Sequence, residues 1–310
     1  MPTGAMTLLE AAKTMPASQA TGIVMTYASA YHPMVAMPMI EEPQGIHSWN
    51  VENELPYTTG GTRLVNGTWT ATRSNISAFT ETFKIYGGEI QVDRAIAKVN
   101  PGKVPQEKES QTKAKARIFT SDFIAGGGGQ ALRGIDDWLA NETLFAGQTS
   151  AVGTASAGSV LLTDHLDKLL SLLNVVPGST YIYCSDNIAL RASKLGRGNV
   201  SGSDVPYNNQ FRPEEWGFWN GMYRGVPIIP LKDGKGSDLI SITEGDGSST
   251  TIYGVTYGTE MLTGFQVSAP DVIPLTQADV YNYFDFEHLV GVAPKAIKCI
   301  ARLTYVTDTV

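Results

Sequence analysis

The chain has 310 residues and a mass of 33.3 kDa, is 42% hydrophobic but only 17% charged, and carries 30 acidic against 23 basic side chains, a formal net charge of −7. A chain of this length buries about three quarters of its unfolded surface, and its acid excess argues against gripping nucleic acid as the main task, which needs clustered Lys and Arg. The charged fraction lies below the roughly 25% of an average soluble protein while mean hydropathy stays at −0.08, so much of the surface is neutral and polar, of the kind that meets other proteins.

Thr7 and Glu10 stand in capping-box spacing around Leu8 and Leu9, predicting a short helix that must lie against something else. The first cation is Lys13 and no apolar run follows it, so no secretory signal is expected. A weaker helical stretch covers 18–31. The apolar run from Ile23 to Ile40 is interrupted by His32, Pro33 and Pro38 and falls short of a membrane span. Residues 45–52 read as a strand, 53–72 are polar and turn-rich, and Asn75 to Tyr86 returns with Phe79, Glu81, Phe83 and Ile85 on one face. A two-stranded excursion of this kind is marginal alone, so a partner surface in the same chain or another must support it. Trp69, near its tip, has no apolar periodicity around it and is expected at a subunit contact. After Gly87-Gly88 a further strand covers 89–93.

Pro105 opens a helix running from Gln106 to Ala125, about 30 Å long. Glu109 and Lys113 form an i,i+4 pair, Ala116, Phe119 and Phe123 make a narrow apolar stripe, and Gly126 to Gly129 stop it. Its first half is polar on all sides, which suits a spine more than a buried core helix. Thr163 begins a helix with Leu166, Leu169, Leu170 and Leu173 inward. Thr180 to Cys184 is a buried strand, and Asp186 is expected to cap a helix with Ile188, Ala192 and Leu195 inward and Gly196 at its end. This succession predicts an α/β layer. A Gly/Ser/Asn-rich loop to Gln210 precedes the cluster Trp216, Phe218, Trp219 and Tyr223, either a core corner, the favoured reading, or an interface anchor. Strands are expected at 226–230, 250–257, 261–267, 281–288 and 296–306. In the last, Ile297, Cys299, Ala301, Leu303 and Tyr305 alternate against Lys298, Ile300, Arg302 and Thr304.

No catalytic, cofactor or metal site is expected. Gly126-x-Gly128-x-x-Ala131 follows a helix instead of the strand that dinucleotide binding requires. The four histidines, His32, His47, His165 and His288, lack paired spacing, and along a strand Asp285 and Glu287 would face away from His288. The acid pairs Glu41-Glu42, Asp136-Asp137 and Glu214-Glu215 are sequence neighbours, which do not converge as acid/base dyads must. Cys184 and Cys299 are too few for a disulfide framework and suit a reducing compartment.

The order of parts resembles the major capsid proteins of tailed double-stranded DNA bacteriophages, whose shell fold is shared with encapsulins. The likeness is carried by an N-terminal arm, a strand pair around a polar loop, Phe83-Lys-Ile-Tyr-Gly-Gly-Glu-Ile-Gln-Val-Asp-Arg94, the long polar helix with a Gly-rich end, Leu132-Arg-Gly-Ile-Asp-Asp-Trp-Leu139 and Gly225-Val-Pro-Ile-Ile-Pro230. It implies an α+β fold with an N-terminal arm (1–43), an extended β-hairpin loop (44–88), a peripheral domain with a spine helix and β-sheet (89–130 and 265–310) and an α/β axial domain (131–264). It implies a structural subunit, not an enzyme, that self-assembles as hexamers and pentamers around DNA in a virion put together in the host cytoplasm. Portal, separate scaffolding and decoration proteins are the further partners, DNA is held by confinement, and no membrane is involved. Trp49, Arg63, Trp69 and Arg73 are the candidate inter-subunit contacts. About forty residues precede the extended loop, too few for a fused scaffolding domain. Some members of that family weld the loop to a neighbour through a lysine–asparagine isopeptide bond. This chain has no lysine between Lys13 and Lys84, so no such cross-link is expected. An encapsulin-type compartment is the alternative, and a lectin-like or polysaccharide-processing enzyme lacks the convergent acids it would need.

Overall fold

Strands that bury one face alternate apolar and polar side chains, and strands buried on both faces do not; both kinds build this chain. A computed structural model describes residues 32–43, 46–54, 62–63, 65–68, 74–196, 212–213, 219–232, 238–240, 244, 247–268, 271–274 and 281–308. Its helices are α1 (His32–Ala36), α2 (Arg94–Val99), α3 (Lys103–Ala125), α4 (Ile135–Asn141), α5 (Thr163–Leu172) and α6 (Asp186–Gly196). Its strands are β1 (Met39–Glu41), β2 (Ile46–Glu54), β3 (Asn75–Thr82), β4 (Lys84–Asp93), β5 (Thr149–Ala151), β6 (Thr180–Cys184), β7 (Arg212–Pro213), β8 (Trp219–Tyr223), β9 (Val226–Pro230), β10 (Ser249–Thr256), β11 (Leu262–Gln266), β12 (Asp271–Pro274), β13 (Tyr281–Pro294) and β14 (Ile300–Thr307). The expected helices ahead of His32 lie outside the described residues, as do most of the 196–210 loop, Trp216 and Phe218.

Among the described residues the strands form three sheets. The first is organised by β13, which pairs antiparallel with β4 along one edge and with β12 and β11 along the other, and β1 adds to β11 in parallel. The spine α3 covers one face of this sheet, with Phe119 edge-to-face on Tyr86 at 5.6 Å and the Lys108 ammonium 3.7 Å from the Phe284 ring centroid. The second sheet runs β5-β14-β10-β6-β9-β8-β7. Its inner strand β10 is buried at every position, because both faces are covered. Ile252, Ile182 and Leu303 pack on one side against Leu166, Leu169, Ile188 and Ala192 of α5 and α6. On the other side Tyr183, Tyr253 and Val255 join a larger core with Phe119, Phe123, Trp138 and Phe265. The third sheet is the two-stranded ribbon β2–β3.

Several expectations shift. The alternation of Asn75 to Tyr86 breaks at Phe83, between β3 and β4, so Ile85 is 67% exposed and Tyr86 turns inward at 6%. Gly87-Gly88 does not interrupt the strand. β4 runs straight through it because a Cβ at Gly87 would stand 2.3 Å from the Phe286 carbonyl oxygen, and only glycine lets the two strands approach. Ser185, not Asp186, caps α6, its Oγ accepting the Ile188 N–H at 3.4 Å. Residues 297–299 form a 3-10 turn before β14. Within β14 the left-handed Tyr305 (φ 58°) makes a bulge that shifts the pairing, and Val306 fills the core in place of Tyr305. The grouping of 265–310 in one peripheral unit also changes. β14 pairs with β10 and β5, so 300–307 belongs to the sheet of the 131–264 segment.

Candidate assembly interface

The ribbon has two unlike faces, because alternate residues of paired strands point to opposite sides. Ile46, Ser48, Asn50 and Glu52 of β2 stand opposite Thr82, Thr80, Ala78 and Ile76 of β3, all exposed. Ser48 Oγ and Thr80 Oγ1 lie 3.1 Å apart at its middle, and Ile46 and Ile76, each at least half exposed, mark its two ends. Of these eight side chains one, Glu52, is charged. The outer face is open and carries little charge, as suits the core of a surface to be covered by another molecule.

The inner face is anchored in the same chain. Trp49 donates its indole N–H to the Pro294 carbonyl at 2.9 Å and stacks on His47 and Phe79, and Phe79 meets Trp138 edge-to-face at 5.6 Å. His47 stacks in turn on Phe265 at 4.8 Å and contacts Glu42 Oε2 at 3.2 Å. Arg133 completes the clamp. Its guanidinium lies 3.8 Å from the Trp138 ring centroid, bonds Asp137 at 2.6 Å and Glu142 at 2.8 Å, and faces Glu81 of β3 at 3.8 Å. Burial works to lower the Arg133 pKa, but its hydrogen bonds to Asp137 and Glu142 together with their negative charges outweigh this and raise it. Burial holds the Glu81 carboxyl above its ordinary value, against the pull of Arg133. The root of the ribbon is therefore a desolvated aromatic and ionic joint that fixes the angle at which it leaves the body.

Toward the tip, Asn66 takes a left-handed φ of 66°, Arg63 Nη1 donates to the Gly67 carbonyl at 3.0 Å, and Val65 is 91% exposed. Of the four candidate contacts, Arg63 stands exposed at this turn, while Trp69 and Arg73 lie outside the described residues. Trp49 is corrected: at 7% exposure its ring is spent on its own subunit and offers a neighbour almost no surface. Sequence reasoning passed over Arg133, although its i,i+4 spacing to Asp137 was a usable signal.

The described histidines and cysteines of the body are built into its packing. His288 is buried, with Nε2 3.1 Å from Gln266 Oε1, and Asp285 and Glu287 lie on the opposite strand face. His32 at the start of α1 reaches the Tyr183 hydroxyl at 2.9 Å, which meets the Tyr257 hydroxyl at 2.9 Å. Burial lowers both His32 and His288 to about 4. Both cysteines are buried and their thiols pushed upward. Among the described residues no group of three or more His, Cys, Asp or Glu is placed to hold a metal, and no helix is long and apolar enough to cross a membrane.

No family model and no curated protein matches the sequence. Solved structures do match in fold. The capsid of the native GTA particle aligns with a TM-score of 0.63 at 12% identity, over 91% of this chain and 91% of that one. The SrpI encapsulin of Synechococcus elongatus PCC 7942 gives 0.61 at 14%, over 88% and 86%. The capsid of cyanophage A-1(L) gives 0.60 at 11%, over 89% and 93%. Identity this low speaks for architecture alone, and the architecture matches nearly end to end: the chain has the α+β fold of the subunits that build phage-type capsids and encapsulin shells.

Proposed function

We propose that the chain is the structural subunit of an icosahedral bacteriophage capsid, assembling as hexamers and pentamers around double-stranded DNA. The observation that carries this is the near-complete correspondence in fold with capsid subunits, about nine tenths of both chains for the GTA particle. The open outer face of the ribbon supports it: an exposed, almost uncharged β-ribbon is a liability for a monomer and an asset for a subunit. In this reading residues 1–43 are an arm whose β1 docks on β11, 44–83 are the loop that reaches a neighbour, with 84–88 held in the body as part of β4, and Arg63, Trp69 and Arg73 are the loop's contacts there. Portal, scaffolding and decoration proteins are the further partners, and the subunit acts in the virion after assembly in the host cytoplasm.

Electron microscopy of the purified recombinant chain tests the proposal, with closed icosahedral shells expected. Deleting residues 55–72 should leave folded subunits that sediment as small species. Large particles from that deletion would remove the loop from assembly. The encapsulin likeness supports a second reading, a protein-filled compartment. Shells that co-purify with a protein cargo and never with DNA would favour it.

A further inference from the structure

The chain is acidic overall, but its charge is not evenly spread. The segment 94–117 holds seven cations and two glutamates, a formal +5, which leaves −12 for the rest of a chain of net −7. Most of those cations are on the surface: Arg94 and Lys98 of α2 and Lys103, Lys113 and Arg117 of α3 are all exposed. On α3 the side taken up by Thr112, Ala116, Phe119, Thr120 and Phe123 is buried. At 3.6 residues per turn, Lys103, Lys113 and Arg117 fall within an arc of about 80° on the solvent half, along about 21 Å of helix. Arg94 and Lys98, at i and i+4, share a face of α2. Two acids stand beside the strip, leaving it a net cationic surface: Glu107, half-buried, accepts a hydrogen bond from Gln111 at 3.1 Å. Glu109 pairs with Lys113 at 2.6 Å, but both side chains are about half exposed, and such a pair is worth little and exchanges readily for a stronger anion.

The opposite side of the same sheet has the opposite sign. Tyr86, Ile90, Phe284 and Phe286 point toward α3, so Glu89, Asp285 and Glu287 point away from it, with Glu89 directly across from Asp285. The slab formed by α3 and the β13 sheet thus has one cationic face and one anionic face, a dipole of charge built into a single layer of the fold.

We propose that the α2–α3 face is a docking surface for double-stranded DNA, held through its phosphates without sequence preference. The proposal rests on the capsid reading and adds to it: it says which face of the subunit turns to the packaged polymer, and that this face attracts the polymer as well as confining it. Charge complementarity commits the surface to a polyanion. A duplex presents one charge per about 1.7 Å of axis with both strands counted, so a strip about 21 Å long runs beside a stretch carrying about twelve phosphates, only part of which face it, and spaced, exposed cations without base-reading geometry suit backbone contact alone.

The test uses unassembled full-length subunits and a dye-labelled, random-sequence 30-bp duplex, with binding followed by anisotropy across a salt series. Wild type should bind with a log–log salt slope. Lys103→Gln/Lys113→Gln/Arg117→Gln should lower that slope by about 2.7, roughly 0.9 per cation removed, and shell yield on sedimentation should be unchanged. Lys98→Gln/Lys103→Gln, confined to the α2 side, should lower it by about 1.8 and keeps the test alive if the triple variant misfolds. Lys298→Gln, which removes an exposed cation elsewhere, should leave the slope alone. The proposal is overturned by an unchanged slope in the strip variants or by an equal loss in Lys298→Gln. It is also overturned by folded strip variants that bind DNA normally but make no shells, since the strip would then be a contact between copies. A wild-type chain that binds the duplex through this strip yet never forms shells would count against the capsid reading and leave the strip standing.

Discussion

Trp49→Ala separates two roles that a tryptophan on this ribbon could have. The ring is 7% exposed, stacked on His47 and Phe79 and tilted against Trp138 at 5.9 Å. Removing a buried tryptophan costs about 3–5 kcal/mol, and loss of the indole N–H leaves the Pro294 carbonyl without that donor, adding about 1 kcal/mol. A total of about 4–6 kcal/mol is a large share of the roughly 5–15 kcal/mol that holds a domain together. Urea unfolding of unassembled subunits, followed by tryptophan fluorescence and circular dichroism, should show a much lower midpoint for Trp49→Ala. Trp49→Phe keeps most of the packing and loses the hydrogen bond, and should fall by about 1–2 kcal/mol. Assembly should suffer only as far as the subunit does. A Trp49→Ala subunit that unfolds at the wild-type midpoint yet makes no shells would refute the reasoning, because the indole would then be acting between subunits.

Three further outcomes are expected. Buried His288, lowered to about 4 against about 6.5 when unfolded, stays neutral in the fold while the unfolded chain takes up a proton, so stability is full above pH 6.5 and falls as pH drops toward 4. His288→Gln should flatten that fall, and an identical pH profile would show that the ring is not responsible. Gly87→Ala forces a Cβ to 2.3 Å from the Phe286 carbonyl and should cost about 3 kcal/mol by prising β4 from β13, whereas a variant as stable as wild type would mean the strands give way freely. Because no lysine lies between Lys13 and Lys84, shells boiled in detergent should run as one band near 33.3 kDa, and a ladder that resists reducing agent would contradict this.

Local pattern carried much of this fold. The spine helix, the leucine-faced α5, the strand Thr180–Cys184 and the two arms of the ribbon follow from periodicities written within ten or so neighbouring residues, and the order of those parts carried the shell resemblance. Where the reading slipped, the cause was tertiary. Gly87-Gly88 looks like a break until Phe286, on a strand some two hundred residues on, is set against it. Tyr305 leaves the expected alternation because the bulge opposite Thr250 and Ile252 turns its backbone left-handed. Arg133 is an ordinary surface cation until the fold brings Glu81, Asp137, Glu142 and Trp138 around it. Local pattern marks the longer helices and most of the strands, and for α3, α5 and β6 it marks the buried residues as well. Only the tertiary structure decided what each apolar face meets: that Trp49 is spent on Pro294 of its own chain, 245 residues away, and that the ribbon's other side is left bare. Periodicity marks a face to be buried, but its partner is chosen by packing among residues far apart in the chain, and no local window contains that choice.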